Sequence, residues 1–172
     1  MTSLLTVLLF AASPIAGVPL PPDGAVDQVF TEVFSARAAA ETKAALSQLD
    51  ADASRSSSEK KEIRKRLEKL RVFVLTTPKT LDETVAFYER EIKGARFNFA
   101  VRNLEADLRD GIRSGAIKGD DSAVAKAKDQ RGRSARWVRP DSALEIAIED
   151  HLLDPRTGAI VTKTVVLVTS LD

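Results

Sequence analysis

"LEIAIEDHLLDPRTGAIVTKTVVLVTS", residues 144–170, decides the fold because it predicts two strands joined by a tight turn. Apolar and polar residues alternate from Leu144 to Glu149, which is typical of a strand with one buried face. Pro155 and Gly158 then supply residues that a tight turn favours. Residues 165–168 are continuously apolar, so we expect the last strand to lie centrally in a sheet that is covered on both faces.

The middle of the chain adds further elements to this hairpin. "RVFVLTTP", residues 71–78, is rich in β-branched residues and ends at a proline, which predicts a strand. Thr80 and Glu83 form a capping box that opens a helix, and Gly94 is placed to end it.

A second strand and two short helices are predicted next. In "RFNFAV", residues 96–101, alternation places Phe97, Phe99 and Val101 on one face, which we expect to be buried. Asn103 is expected to cap a short helix, and the stretch after "KGDD" predicts one more helical segment.

Two helices are predicted before the first of these strands. Asp23 is expected to cap a helix that fades near Asp50 and whose Ala-rich segment, residues 35–50, has a thin apolar face. Ser56 and Glu59 form a capping box that opens the second helix. The expected packing positions of the Ala-rich segment are Ala40, Ala44, Leu46 and Leu49.

These elements together predict an α+β fold. An N-terminal helical hairpin packs on a mainly antiparallel sheet with one or two further helices. The expected organisation is a signal peptide and spacer (1–22), a helical hairpin (23–70) and an α+β sheet domain (71–172), with 23–172 forming one folded unit.

The first 22 residues carry no charged side chain, which indicates an export signal. An apolar run from Leu4 to Ala12 precedes small residues and prolines, which is the layout of a secretory signal. We expect cleavage after Ala16 or Gly17 and a periplasmic or secreted mature protein. The alternatives are an uncleaved membrane anchor from Leu4 to Leu20, which is short and interrupted by prolines, and a misassigned start.

Composition excludes several classes of function. Hydrophobic residues make up 44% and charged residues 30%, which is typical of a folded globular protein. The 26 cations nearly balance the 25 anions, so we expect no nucleic-acid partner, and contact with the membrane only during export. The chain has no cysteine, which excludes disulfides, thiol catalysis and Cys-zinc sites. We also expect no cofactor.

The stretch "VFVLTTPKTLDETVAFYEREI" together with "LEIAIED" and "TKTVVLVTS" resembles small exported bacterial α+β domains of uncharacterised function. In those domains a strand ending in a Thr/Ser/Pro turn leads into a helix with a stretch like Val85 to Tyr88, and a Thr-Val-Val strand closes the sheet. The resemblance implies a fold and a compartment, and it carries over no catalytic residue.

"KDQRGRSARWVRP", residues 128–140, is the first candidate site because it concentrates cations around the only Trp. Arg131, Arg133 and Arg136 could hold phosphate or carboxylate groups while Trp137 stacks beside them, which would suit an anionic lipid head group or glycan. The structural alternative is cross-strand ion pairing with the acidic strand that follows. In that alternative Arg136 and Arg139 lie near Glu145, Glu149 or Asp150.

"EDHLLD", residues 149–154, is the second candidate site. Glu149 and His151 share a strand face by alternation, and Asp154 follows in the turn, so the three could hold a divalent metal or support a simple hydrolase. The alternative is a histidine at a strand end that bonds a neighbouring acid.

The sequence contains no recognisable catalytic or phosphate-binding motif, and this absence favours a non-catalytic role. We expect an exported globular domain that binds a protein partner or a small ligand. Residues 35–50 are the expected surface for a protein partner or for self-association. The alternatives are a hydrolase or metal-assisted enzyme centred on His151 and a lipid or glycan binder acting through residues 131–139.

Overall fold

The computed structural model describes residues 17–171, which form five helices around a six-stranded sheet. The helices are α1 (Gln28–Ala51), α2 (Ser57–Glu68), α3 (Leu81–Glu91), α4 (Leu104–Arg113) and α5 (Asp121–Lys126). The strands are β1 (Ala25–Val26), β2 (Arg71–Thr77), β3 (Asn98–Asn103), β4 (Arg131–Val138), β5 (Leu144–Glu149), β6 (Leu152–Leu153), β7 (Ile160–Val161) and β8 (Thr164–Ser170).

The main sheet has the order β1-β2-β8-β5-β4-β3, and every neighbouring pair is antiparallel. The predicted α+β class and the predicted C-terminal hairpin are therefore confirmed. Strands β5 and β8 form the hairpin, and its tip continues as a separate two-stranded ribbon of β6 and β7. Strand β8 lies between β2 and β5, so its predicted central position is confirmed as well.

Helices cover both faces of the sheet. Leu81, Val85 and Tyr88 of α3 pack on the face that carries Ile146 and Val166, which we call the α3 face. Helix α1 lies along the opposite face, the α1 face, where Phe30 joins a cluster that contains Val74 and Val165. Because neighbouring side chains in a strand point to opposite faces, each strand residue belongs to one of these two environments.

The first helix begins four residues later than the sequence predicts. Ala25 and Val26 pair with β2, so the backbone there is extended and the helix starts only after it. Asp27 is the actual N-cap, and its carboxylate accepts a hydrogen bond from the Phe30 N–H at 3.0 Å. Asp23 does not cap the helix and lies in the left-handed region, with φ of 55°.

The Ala-rich segment packs through the two expected leucines but not through the two expected alanines. Leu49 is buried and Leu46 half-buried, whereas Ala40 and Ala44 are exposed. Helix α2, opened by the predicted capping box at Ser56, packs against α1. The exposed alanines leave one side of this segment uncovered by the described residues.

The folded unit includes residues that the sequence analysis assigned to a spacer. Val18 is only 2% exposed and belongs to the α3-face core, with Leu20 packed against it. The Thr77 hydroxyl donates a hydrogen bond to the Pro22 carbonyl at 2.9 Å. The apolar run from Leu4 to Ala12 lies outside the described residues. Within residues 17–171 no helix has the length and hydropathy needed to cross a membrane.

Strand β3 departs from the predicted burial pattern. Phe97 is 8% exposed, as expected, but Phe99 is 55% and Val101 is 75% exposed. Alternation correctly places the three side chains on one face, because Phe99 lies opposite the buried Ala135 of β4. Phe99 and Val101 are exposed because β3 is the edge strand of the sheet and the α3-face core ends at Phe97.

A candidate binding cleft at the start of helix α3

A cleft with a volume of about 480 Å³ opens on the α3 face, where β2 ends, β8 begins and α3 starts. The cleft is lined mainly by hydroxyl-bearing and charged side chains. They are Thr77, Lys79, Thr80, Asp82, Arg133, Asp150, His151, Thr162, Lys163 and Thr164. A volume of this size accommodates a small molecule.

The start of α3 fixes one wall of the cleft through the predicted capping box. The Thr80 hydroxyl accepts a hydrogen bond from the Glu83 N–H at 3.3 Å, and the Glu83 carboxylate accepts one from the Thr80 N–H at 2.8 Å. The Thr80 N–H and the Thr80 hydroxyl both donate to the Glu83 carboxylate, and these two bonds lower the pKa of Glu83. The cap therefore holds the first turn, and with it Asp82, in a defined position.

Arg133 links this wall to the sheet. Its guanidinium donates to both carboxylate oxygens of Asp82, at 3.0 and 2.6 Å. The bidentate bond lowers the pKa of the Asp82 carboxyl group. Because the two side chains are 47% and 62% exposed, solvent screens the pair and its contribution to stability is small.

Asp150 organises the other wall. Its Oδ1 accepts hydrogen bonds from the Arg133 backbone N–H at 2.7 Å and pairs with His151 Nδ1 at 2.8 Å. These bonds orient the imidazole, whose Nε2 has no hydrogen-bond partner within residues 17–171. An oriented imidazole can exchange a proton at Nε2, but the described residues place no hydroxyl in hydrogen-bond contact with it, so a nucleophile and base pair is not formed.

The floor of the cleft holds two threonines that lie opposite each other in β2 and β8. Thr77 is 2% exposed, and its hydroxyl is engaged by the Pro22 carbonyl and the Lys79 N–H. Thr164 is 7% exposed, and its hydroxyl has no hydrogen-bond partner among the described residues. The hydroxyl itself is not sealed from solvent, so it is available to a ligand that enters the cleft.

The cleft is lined by more cationic side chains than carboxylates. Both carboxylates that line it, Asp82 and Asp150, are engaged by Arg133. The Lys79 ammonium lies 3.7 Å from Asp23, at the rim. The exposed Lys163 side chain has no carboxylate partner within residues 17–171. The lining therefore retains cationic groups that are available to an anion.

The structure separates the four residues of the predicted anion site. Arg133 lines the cleft, and Arg131 is exposed at the start of β4. Trp137 is 7% exposed and packs in the core, with its ring 6.4 Å from that of Phe97. Arg136 points to the α1 face, because it neighbours Trp137 in the strand, and therefore cannot share a site with that ring.

The predicted cross-strand ion pairing is correct for one of its two arginines. Arg136 pairs with Glu145 at 2.6 Å, as expected from the pairing of β4 with β5. Arg139 instead bonds Asp141 at 2.8 Å, because the chain turns after β4 and brings this nearer carboxylate beside it.

The three residues of the predicted metal site have different partners. Glu149 bonds Arg102, and burial raises the pKa of Glu149 although the Arg102 charge opposes this effect. Asp154 bonds Arg156 at 2.8 Å, which lowers the pKa of Asp154. His151 bonds Asp150, the arrangement expected of a histidine at a strand end. Within residues 17–171 no three metal-binding side chains are grouped to hold an ion.

A larger cleft of about 560 Å³ lies between α1 and α4 and contains Arg102 and Glu149. Its other charged side chains are satisfied locally, since Arg113 bonds Asp110 at 2.8 Å and Arg37 bonds Glu41 at 2.8 Å. The α3 cleft, with an accessible threonine hydroxyl and a lysine that lack partners among the described residues, is therefore the better candidate for a binding site.

Sequence reasoning missed the threonines and lysines of the α3 cleft. The signal for them was present in "TTPKT", residues 76–80, and "TKT", residues 162–164, which adjoin two strands of the same sheet. Only the pairing of Thr77 with Thr164 shows that these segments meet.

Comparison of the chain with protein-family models, curated protein sequences and solved structures gives no significant match. The fold and the site define an α+β protein with a polar cleft at one end of an antiparallel sheet, and its function has to be inferred from that cleft.

Proposed function

We propose that this protein is an exported, non-catalytic domain that binds a small anionic ligand, bearing a carboxylate or phosphate group, in the α3 cleft. The observation that carries the proposal is Thr164, a residue that is only 7% exposed on the floor of the cleft and whose hydroxyl is reachable from solvent and has no hydrogen-bond partner within residues 17–171. An anion in the cleft would accept a hydrogen bond from this hydroxyl.

The surrounding groups support an anion rather than a cation. Lys163 and Lys79 contribute positive charge at the mouth of the cleft. Because His151 Nδ1 donates to the Asp150 carboxylate, Nε2 can donate a hydrogen bond to an anion only in the doubly protonated imidazolium form. Asp82 and Asp150 already accept hydrogen bonds from Arg133, so they repel an incoming anion less than free carboxylates would. The site thus offers donors and positive charge to one small acidic group.

Export is supported by the uncharged first 22 residues, in which an apolar run followed by small residues and prolines has the layout of a secretory signal. The packing of Val18 limits where cleavage can occur without loss of core residues. We therefore expect the mature protein to begin at Gly17 or Val18. Intact-mass measurement on protein from the native host tests this, and a mass equal to that of the full chain would contradict it.

Binding is tested by isothermal titration calorimetry with inorganic phosphate, succinate and citrate as probes. We expect at least one probe to bind saturably, with a dissociation constant that rises with salt because the contacts are ionic. Lys163→Ala and Thr164→Val should each weaken binding by about tenfold, the equivalent of about 1.4 kcal/mol.

Two controls separate binding from folding. Lys128→Ala removes the same charge from an exposed position outside the cleft and should leave binding unchanged. Thr164→Val should not lower the melting temperature, because its hydroxyl makes no hydrogen bond to any residue within 17–171. Dissociation constants above about 10 mM for all three probes, which correspond to less than about 3 kcal/mol of binding free energy, would overturn the proposal.

A further inference from the structure

Within residues 17–171 the outer side of β3 is an open sheet edge, because β3 is the last strand in the sheet order. The Leu104 N–H bonds the Gln130 carbonyl at 3.3 Å, next to the pair formed by Asn103 and Arg131. Hydrogen-bonded and non-hydrogen-bonded pairs alternate along an antiparallel ladder. The backbone groups of Phe99 and Val101 therefore point away from β4, and no other strand formed by residues 17–171 pairs with them.

The same two residues carry the most exposed apolar side chains of the strand. Phe99 is 55% and Val101 is 75% exposed, and both lie on the α3 face. Open backbone groups and apolar side chains thus coincide on two positions, which is the combination that recruits another strand.

The edge lacks the usual protection in this stretch. Natural edges are guarded by charged side chains, prolines or bulges. The only charged residue of β3 is Arg102, whose guanidinium is held by Glu149 and Asp107. At the start of the edge, the Glu89 carboxylate accepts a hydrogen bond from the Phe97 N–H at 3.2 Å. Protection therefore ends before Phe99.

We propose that this edge is the interface of a homodimer, in which β3 pairs antiparallel with β3 of a second copy. A two-fold axis through Ala100 sets Phe99 opposite Val101 of the second copy, and Val101 opposite its Phe99. Each of these pairs exchanges two backbone hydrogen bonds and makes an aromatic to β-branched contact, which is a favourable cross-strand pair.

We assign the partner strand to a second copy of the chain because the β3 edge is complementary to itself. In this register Arg102 lies opposite the neutral Asn98 of the second copy, so no like charges meet. The small Ala100 lies on the axis, where two large side chains would collide. Since only a short strand is involved, the interface is smaller than the usual 1,200 to 2,000 Å², and we expect a dissociation constant above about 1 µM.

Sedimentation velocity of the full-length protein tests for the dimer. Concentrations from about 1 to 500 µM are needed, because the expected dissociation constant lies above about 1 µM. We expect a concentration-dependent dimer that becomes monomeric in Val101→Lys, because the substitution places two ammonium groups in the interface. Val29→Lys, made at an exposed valine of α1 that is 49% accessible, is the matched control and should remain dimeric.

Two further results would distinguish this interface from the Ala-rich segment. Ala40→Glu with Ala44→Glu should leave the dimer intact, whereas loss of the dimer in that variant would overturn the β3 interface in favour of residues 35–50. Hydrogen exchange of the Phe99 and Val101 amides should slow as concentration rises. A protein that stays monomeric throughout, or a dimer that survives Val101→Lys, would equally overturn the proposal.

Discussion

Val18→Ala should destabilise the protein although the residue lies beside the predicted signal peptide. Val18 is 2% exposed within the core that also contains Val85 and Tyr88. Removing two methyl groups from such a site costs about 1.6 kcal/mol of transfer free energy, and the cavity raises the total to about 2 kcal/mol. For a domain of this size, that loss lowers the melting temperature by about 4–8 °C.

Urea denaturation and thermal unfolding of the full-length protein measure this effect. Val29→Ala is the control, because the same two methyl groups are removed from a side chain that is 49% exposed, and we expect a change within about 0.5 kcal/mol. Equal stabilities of the two variants would refute the packing of residues 18–22 on the core. The inference that the mature protein begins at Gly17 or Val18 would then lose its support as well.

Three further predictions concern Tyr88, Glu149 and His151. Tyr88 is fully buried and its hydroxyl has no partner within residues 17–171, so Tyr88→Phe should raise stability by about 1–3 kcal/mol, and a lower melting temperature would contradict this. Burial raises the pKa of Glu149 above its ordinary 4.5, so the native state binds this proton more tightly than the unfolded chain does, and the free energy of unfolding falls as pH rises from the unfolded pKa through the native pKa. Urea titrations at several pH values should show a smaller fall in Glu149→Gln. The same pH dependence in both proteins would contradict this prediction. His151→Ala should leave zinc affinity unchanged in calorimetry, because Glu149 and Asp154 are bound by Arg102 and Arg156, and a tenfold loss would restore the metal hypothesis.

Sequence patterns predict those elements whose signal lies in residues close together in the chain. Both capping boxes and the strand from Arg71 to Thr77 needed only neighbouring residues to be recognised. The start of α1 was placed wrongly at Asp23, because Ala25 and Val26 pair with a strand that lies far along the chain. A two-residue strand has no periodicity by which it could be detected.

The candidate sites were less predictable because they depend on which strands become neighbours. Arg133 and His151 were assigned to different hypothetical sites, yet both bond Asp150 in one cleft. Arg136 and Trp137, assigned to the same site, lie on opposite faces. Exposure of Phe99 and Val101 could not be foreseen either, since alternation identifies a shared face but not whether a helix covers it.

Arg133 connects the two proposed surfaces, and this contact has a measurable consequence. Its guanidinium bonds Asp82 in the cleft and lies 5.9 Å from the centre of the Phe99 ring at the sheet edge. An anion that draws Arg133 into the cleft would weaken its contact with Phe99 and so alter dimerisation. Thermodynamic linkage then requires that dimerisation alter anion affinity by the same factor.

The coupling is measured by determining the dimer dissociation constant with and without saturating phosphate, and the phosphate affinity of the wild type and of Val101→Lys. We expect reciprocal changes that disappear in Arg133→Met, because the methionine keeps an apolar contact with Phe99 but cannot bond Asp82 or an anion. Equal dimer affinities with and without phosphate would show that Arg133 stays in place when the cleft is filled. The cleft and the edge would then act independently, with Arg133 serving only to hold the first turn of α3 against the sheet.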